Sequence, residues 1–446
     1  MTITNIISAI GNNSSIYPLL VRDCGIEAPA KIIIARKENL KESKELANDA
    51  TREKIIDEYA TSAIWLGGIP ATEYVVDKFI SKKGYNPNVN LKLFKEEEKL
   101  KNTPDQIFQG IEYNIKKFAN NSSKEVQEAL ADLVKVRDNK SVYENMLTKK
   151  FVAATVIPTV IMGFILPKLN FALTRKIREN KAQTQQISNN TPVQNPQATF
   201  TSIDRDVFKK FKSENTNKNI NFTGNLTSTI ANLRTVDKMA ISDGGLTIGR
   251  VSTSRNKEEG YMNAFRMTGS MILNFVTPIY IAKGLDKLAN KLFKINVNLD
   301  PKILNDKNFI QAIKDNKIEL PKSNTAKDLF EFIDSKPNSY FSQFAQKAGE
   351  ISYLKCGTRD PRKYVDINKL SKFKNEFENF VTAAKNSKNI EKFAQKAKYI
   401  KCANILANVG ISSFLLAGVL PVATYKFVKL TTGSYSDPGL VTKNKQ

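Results

Sequence analysis

Four stretches of the chain rise out of a lysine-rich background as nearly continuous apolar runs, at about 62–80, 151–173, 264–285 and 402–425. The last is the strongest. From Cys402 to Tyr425 no residue carries a charge, and Lys401, Lys426 and Lys429 bracket the run. At about 1.5 Å per residue such a helix covers a hydrocarbon core roughly 30 Å thick. Ala403, Ala407, Gly410, Ser413 and Ala417 lie at three-to-four spacing, which lets another helix approach closely. The uncharged cores of the second and third runs, Phe151 to Leu166 and Met267 to Ala282, are shorter and hold Pro158 and Pro278. In the first run, apolar residues contribute roughly −4 kcal/mol to insertion, while Glu73 and Asp77 at mid-bilayer cost about 5 to 7 together. That run would not insert unaided.

The pattern occurs twice. Asp23-Cys24-Gly25-Ile26, an apolar stretch through Pro70 and Asn88-Val89-Asn90-Leu91 recur as Asp243-Gly244-Gly245-Leu246, Pro278 and Asn296-Val297-Asn298-Leu299. Each half closes on a second apolar segment near a proline, Pro167 or Pro421. The sequence therefore predicts an all-α, internally duplicated membrane protein with two apolar helical segments per half and helical polar inserts. An N-terminal segment, 1–20, precedes the first half, 21–178, with its insert at 92–150. A flexible linker is expected at 179–222, where Gln, Asn, Thr and Pro abound without apolar periodicity. The second half is 223–432, with its insert at 300–398, and 433–446 is a tail. Ile107, Ile111, Ile115 and Phe118, then Val126, Leu130 and Val134, give helical spacing on either side of a turn at Asn120 to Ser123. After Pro70 and again after Pro278 each half reads as a proline break followed by an amphipathic helix in the headgroup region. Proline-centred hairpins would keep both inserts and the linker on one face.

Composition narrows the chemistry. The net charge of +24, from 68 Lys plus Arg, suits anionic lipid headgroups, although the preference for lysine over arginine together with abundant Asn and Ile is what an AT-rich coding sequence produces. Nucleic acid is disfavoured as a partner, because neither aromatic-basic interleaving nor a recognition-helix motif is present. There is no histidine. His-dependent triads, His-ligated zinc and globin-type haem ligation are thereby excluded. Three cysteines without a CxxC exclude a Cys-rich zinc site and fit a reducing compartment. No Lys or Arg precedes an apolar region in the first 21 residues, so no cleaved secretory signal is expected.

Candidate sites are few. Asp243-Gly244-Gly245 could cradle a phosphate, but its counterpart Asp23-Cys24-Gly25 lacks one glycine, and an Asx-type turn entering a helix is the preferred reading. Glu73 and Asp77, four apart, have the spacing of a paired carboxylate site. Lys78 follows directly, and the second half offers only Asp286 with Lys287, so a solvated or interfacial face is preferred. Pro70, Pro167, Pro278 and Pro421 could interrupt helices around a solute. No catalytic, cofactor or metal signature is present. The expectation is a non-enzymatic integral protein of the cytoplasmic (inner) membrane, with the bilayer as its partner, serving as a scaffold or envelope component. The alternatives are a small parallel-repeat carrier and a soluble basic helical protein that binds nucleic acid or a protein.

Overall fold

The computed structural model describes residues 3–11, 20–100, 108–189, 235–293 and 299–441. These residues are helical with no strand; the only bridge is an isolated one between Tyr353 and Arg359. Helix α1 (Ile3–Gly11) is followed by α2 (21–40), α3 (44–82), α4 (Lys92–Leu100), α5 (Ile111–Phe118), α6 (Lys124–Asp138) and α7 (140–189). Then come α8 (Thr235–Ser252), α9 (257–293), α10 (Pro301–Leu304), α11 (Lys307–Lys314), α12 (Ala326–Ser335), α13 (Tyr340–Lys347), α14 (Ile367–Lys385) and α15 (390–432).

The prolines do not break these helices. Each of Pro29, Pro70, Pro158, Pro167, Pro278 and Pro421 stands two residues beyond a π-helical stretch, through which the helix continues. A proline ring clashes with the carbonyl four residues back and donates no hydrogen bond. A π turn resolves both difficulties. At Ile69, before Pro70, the N–H reaches back five residues to Ile64, and Leu420, before Pro421, does the same to Leu415. The expected proline breaks and hairpins are thus replaced by long continuous helices, each widened locally.

Six long helices form a closed ring. Ser43, whose Oγ accepts from the Leu46 N–H at 3.1 Å, caps α3 and turns the chain back on α2. Antiparallel packing of α3 on α7 is marked by Lys150–Asp77 at 2.6 Å, Asn170 Nδ2 donating to the Glu53 carbonyl at 2.9 Å, and Arg178–Asp49 at 2.6 Å. Helix α8 lies parallel to α7, with Thr159 and Ser242 hydroxyls 2.7 Å apart. The contact is so close that a Cβ on Gly249 would stand 2.7–2.9 Å from the Gly163 backbone. Antiparallel α9 and α15 meet through Phe265 stacked on Phe427 at 4.7 Å and Asn404 donating to Asp286 at 3.1 Å. Contacts of α15 with α2 close the ring. On either side of the 190–234 segment the described chain runs, in the same order, through a shorter helix, a long helix, an insert and a second long helix.

Both inserts cap one end of the ring and pack together. Phe309, Phe341, Phe344, Phe377 and Phe380 centre the second insert, while Leu91, Val126, Leu133 and Tyr143 lie in the core of the first. Arg362 joins them through Asp132 at 2.9 Å, and Gln109 and Asn114 donate to the carbonyls of Val365 and Pro361 at 2.7 Å each. Arg359, 1% exposed, pairs with Asp334 at 2.7 Å. The opposite end carries the 41–43 and 253–256 connections and the tail. Asp437 N–H donates to Asn39 at 2.9 Å, and the Leu440 carbonyl accepts from Arg178 at 3.0 Å.

Several boundaries move. Residues 140–150, assigned from sequence to the first insert, begin α7, and 390–398 begin α15 rather than ending the second. Residues 179–189 extend α7 instead of opening the linker, because Glu, Lys, Ala and Gln are good helix formers whatever their apolar spacing. The rest of the linker, 190–222, lies outside the described residues, as do 223–234 and Asn296 to Asn298 of the recurring tetrapeptide. Two helices, Lys140–Thr184 and Ile390–Thr432, are long and apolar enough to cross a membrane. Their most apolar windows are only 39% and 33% buried inside the bundle.

Candidate functional site

The ring encloses a cavity of about 180 Å³ reaching from mid-bundle toward the tail end. Trp65, Leu246 and Met267, which pack with Leu66 and Met162, give its wall an apolar patch. Around them the lining is charged, with eight carboxylates and five bases. One face of α3 contributes four of these charges, Glu53, Lys54, Asp57 and Glu58, which recur at helical spacing and turn inward.

Ion pairs hold much of the lining in place. Lys31 of α2 bridges Glu27 at 3.1 Å and Glu58 at 3.3 Å, and Lys54 reaches Glu58 at 3.0 Å. Arg250 of α8 donates to Asp57 at 2.6 Å and to the Thr61 hydroxyl at 2.8 Å, with Arg266 3.8 Å from the same carboxylate. At the tail end Arg255 is shared by Glu53 at 2.9 Å and Glu259 at 2.7 Å. The tail closes the mouth, where Tyr425 Oη donates to Asp437 at 3.2 Å. Charges buried this way persist only when paired, so this network positions the helices as firmly as it shapes the chamber.

Some groups stay open. The Asp243 carboxylate lines the chamber without an ion-pair or hydrogen-bond partner among the described residues, although the charges of Asp23, Arg22, Arg250 and Lys31 act on it from a distance. Trp65 Nε1 and Asn274 Oδ1 are buried and likewise lack a partner. Among the described residues no group of three potential ligands converges on a metal position.

The site residues singled out from the sequence separate into two groups. Asp23, Asp243, Pro167 and Pro421 line the chamber, so the recurring acid of the two halves arrives at one place. Asp23 is paired with Arg22 at 3.0 Å. Asp243, Gly244 and Gly245 lie inside α8 rather than in an Asx turn, and Asp23 and Gly25 lie inside the π-helical start of α2. The glycine in each case is explained by packing or not at all: a Cβ on Gly245 would meet Thr159 at 2.6 Å, one on Gly244 only Met271 at 4.0 Å, and one on Gly25 nothing. A helix interior presents no row of free N–H groups, which removes the phosphate cradle. Glu73 pairs with Lys238 at 2.8 Å and Asp77 with Lys150 at 2.6 Å. These two carboxylates are therefore engaged separately by different helices. Asp286 is held by Asn404, and neither Pro70 nor Pro278 reaches the chamber.

Sequence reasoning passed over the charged stripe of α3. Its signal was available in the acids and bases at 53, 54, 57 and 58 immediately before an apolar run, a spacing that puts all four on one face. Outside the bundle, exposed Cys356 has its thiol held below the ordinary value, because hydrogen bonds with Ser123 and Thr358 outweigh the opposing effect of desolvation. Compared with known protein families, curated proteins and solved structures, the chain matches none.

Proposed function

We propose that the protein is a duplicated, non-enzymatic helical bundle that holds a small solute in its chamber, working in a membrane as a parallel-repeat carrier. The observation that carries this reading is the inversion of polarity across the ring. Charged side chains gather inside, while Ile33 (65% exposed), Ile248 (66%), Tyr280 (69%) and Phe414 (67%) stand outward on α2, α8, α9 and α15. Val152, Val156 and Ile157 continue the apolar belt on α7. A soluble bundle buries such residues and exposes its charges; a bilayer reverses the preference. The recurring order of helices, and the meeting of Asp23 with Asp243, support two like halves of shared orientation. A solute chamber accounts for unpaired polar groups that a purely structural scaffold would not require.

The path of the chain favours a second reading. Helix α7 delivers the chain to the tail end at Asn189, whereas α8, parallel to α7, takes it up at the cap end at Thr235. Across a bilayer, 190–234 would have to bring it back, and that stretch is polar and charged without an apolar run. An irregular polar segment exposed to hydrocarbon leaves peptide groups unpaired at several kcal/mol each. In the second reading the bundle stands in water and its belt is covered by protein.

Thiol labelling separates the two. Cys356 lies at the cap end, and a Ser188→Cys substitution places a thiol at the tail end. With an impermeant maleimide on sealed vesicles, the carrier reading predicts that one thiol reacts and the other reacts only after permeabilisation. Reaction of both from one side contradicts a bundle that crosses the bilayer.

A further inference from the structure

The chamber has an electrical character opposite to that of the whole chain. A protein of net charge +24 lines this cavity with eight carboxylates against five bases, and with Arg22, which pairs with Asp23 and Glu27 from just outside the lining, an excess of two negative charges remains. Anions are therefore disfavoured inside, and cations are favoured. An inorganic divalent cation wants several carboxylate oxygens converging on one point. No such cluster occurs among the described residues. An organic cation needs fewer contacts.

The three open groups define what those contacts are. Trp65 on α3, Asp243 on α8 and Asn274 on α9 all line the chamber, and Trp65 packs in one cluster with Leu246, one helical turn after Asp243. Among the described residues, Trp65, 9% exposed, has no acceptor for its Nε1–H, Asn274 Oδ1 has no donor, and the Asp243 carboxylate has no cation bonded to it. Every one of the five chamber bases already faces a carboxylate. Arg250 Nε is also buried without an acceptor, but its guanidinium is already paired with Asp57, so two acceptors, one of them charged, and one neutral donor are left for a ligand.

Resting on the solute-chamber reading above, we infer that the chamber binds a small primary ammonium compound bearing one oxygen acceptor, the class of the amino alcohols. The ammonium group donates to the Asp243 carboxylate and Asn274 Oδ1, and the ligand oxygen accepts from Trp65 Nε1–H. The cations whose charges reach Asp243, Arg22, Lys31 and Arg250, are held by Asp23 and Glu27, by Glu27 and Glu58, and by Asp57, and do not repel the ligand as free charges would.

Trp65 is the only tryptophan in the chain, so its emission reports from the chamber. Full-length protein in detergent would be titrated with 3-aminopropan-1-ol and, separately, with 3-hydroxypropanoate, which is similar in size and opposite in charge. The expected result is a saturable emission change with the amine only, at least tenfold weaker in Asp243→Asn and retained in Asp243→Glu, which keeps the carboxylate. Asp286→Asn, outside the chamber, should match the parent protein. A saturable response to the anion alone overturns the cation assignment while leaving a solute chamber standing. Equal amine binding by the parent protein and Asp243→Asn, or equal loss in Asp243→Asn and Asp243→Glu, overturns the role of Asp243. Silence toward both compounds overturns the inference and the chamber reading together.

Discussion

At the residue scale, the glycines separate packing from chance. Gly249 and Gly163 let α7 and α8 touch backbone to backbone, and a methyl group at 249 has no flexible neighbour to displace. Gly249→Ala should therefore destabilise the protein by about 1–3 kcal/mol, the usual cost of overpacking. Gly25→Ala meets open space inside a helix and should stabilise it by up to about 1 kcal/mol through the better helix propensity of alanine. Thermal unfolding followed by circular dichroism reads both, and equal shifts for the two variants would contradict the packing. The recurrence of Asp-x-Gly in the sequence pointed to the right residues with the wrong local structure. Turn chemistry is inferred from composition, whereas here tertiary packing holds Asp and Gly in helix interiors and gives the glycine at 245 a contact to accommodate.

At the element scale, apolar periodicity made the long helices and their four greasy segments legible. What it hid was continuity. Proline in a helix pattern normally signals a boundary, yet a π turn before each one lets α3, α7, α9 and α15 run on, and nothing in local sequence announces that choice. The chamber was hidden for a related reason. The charges of α3 look like a solvated face until α2 and α8 are placed against them, a long-range arrangement that periodicity does not encode. The inserts give an element-scale prediction. Burial is the largest influence on Glu376 of α14 and raises its pKa above the ordinary glutamate value, with Lys372 opposing. A carboxyl whose folded pKa is raised binds more protons in the native state, so stability falls as pH rises from the unfolded pKa through the folded one. Glu376→Gln should flatten the fall of unfolding free energy just above the ordinary glutamate pKa, measured by urea denaturation across that window. An unchanged slope would place Glu376 in a more solvated setting.

At the scale of the whole molecule, two runs of elements in the same order close into one ring, with charge inside, an apolar belt outside and the inserts on one end. The belt and the chain path pull in opposite directions. Two helices are long and apolar enough to cross a membrane, and only 39% and 33% of their apolar windows are buried inside the bundle; the junction from Asn189 to Thr235 asks a polar segment to make the return. The measurement that tests the central claim most directly is alkaline carbonate extraction of membranes containing the full-length chain. A bundle whose belt faces lipid stays in the pellet. Release into the supernatant, as a species that remains monodisperse without detergent, would contradict the membrane account and leave a water-soluble helical body with a charged interior.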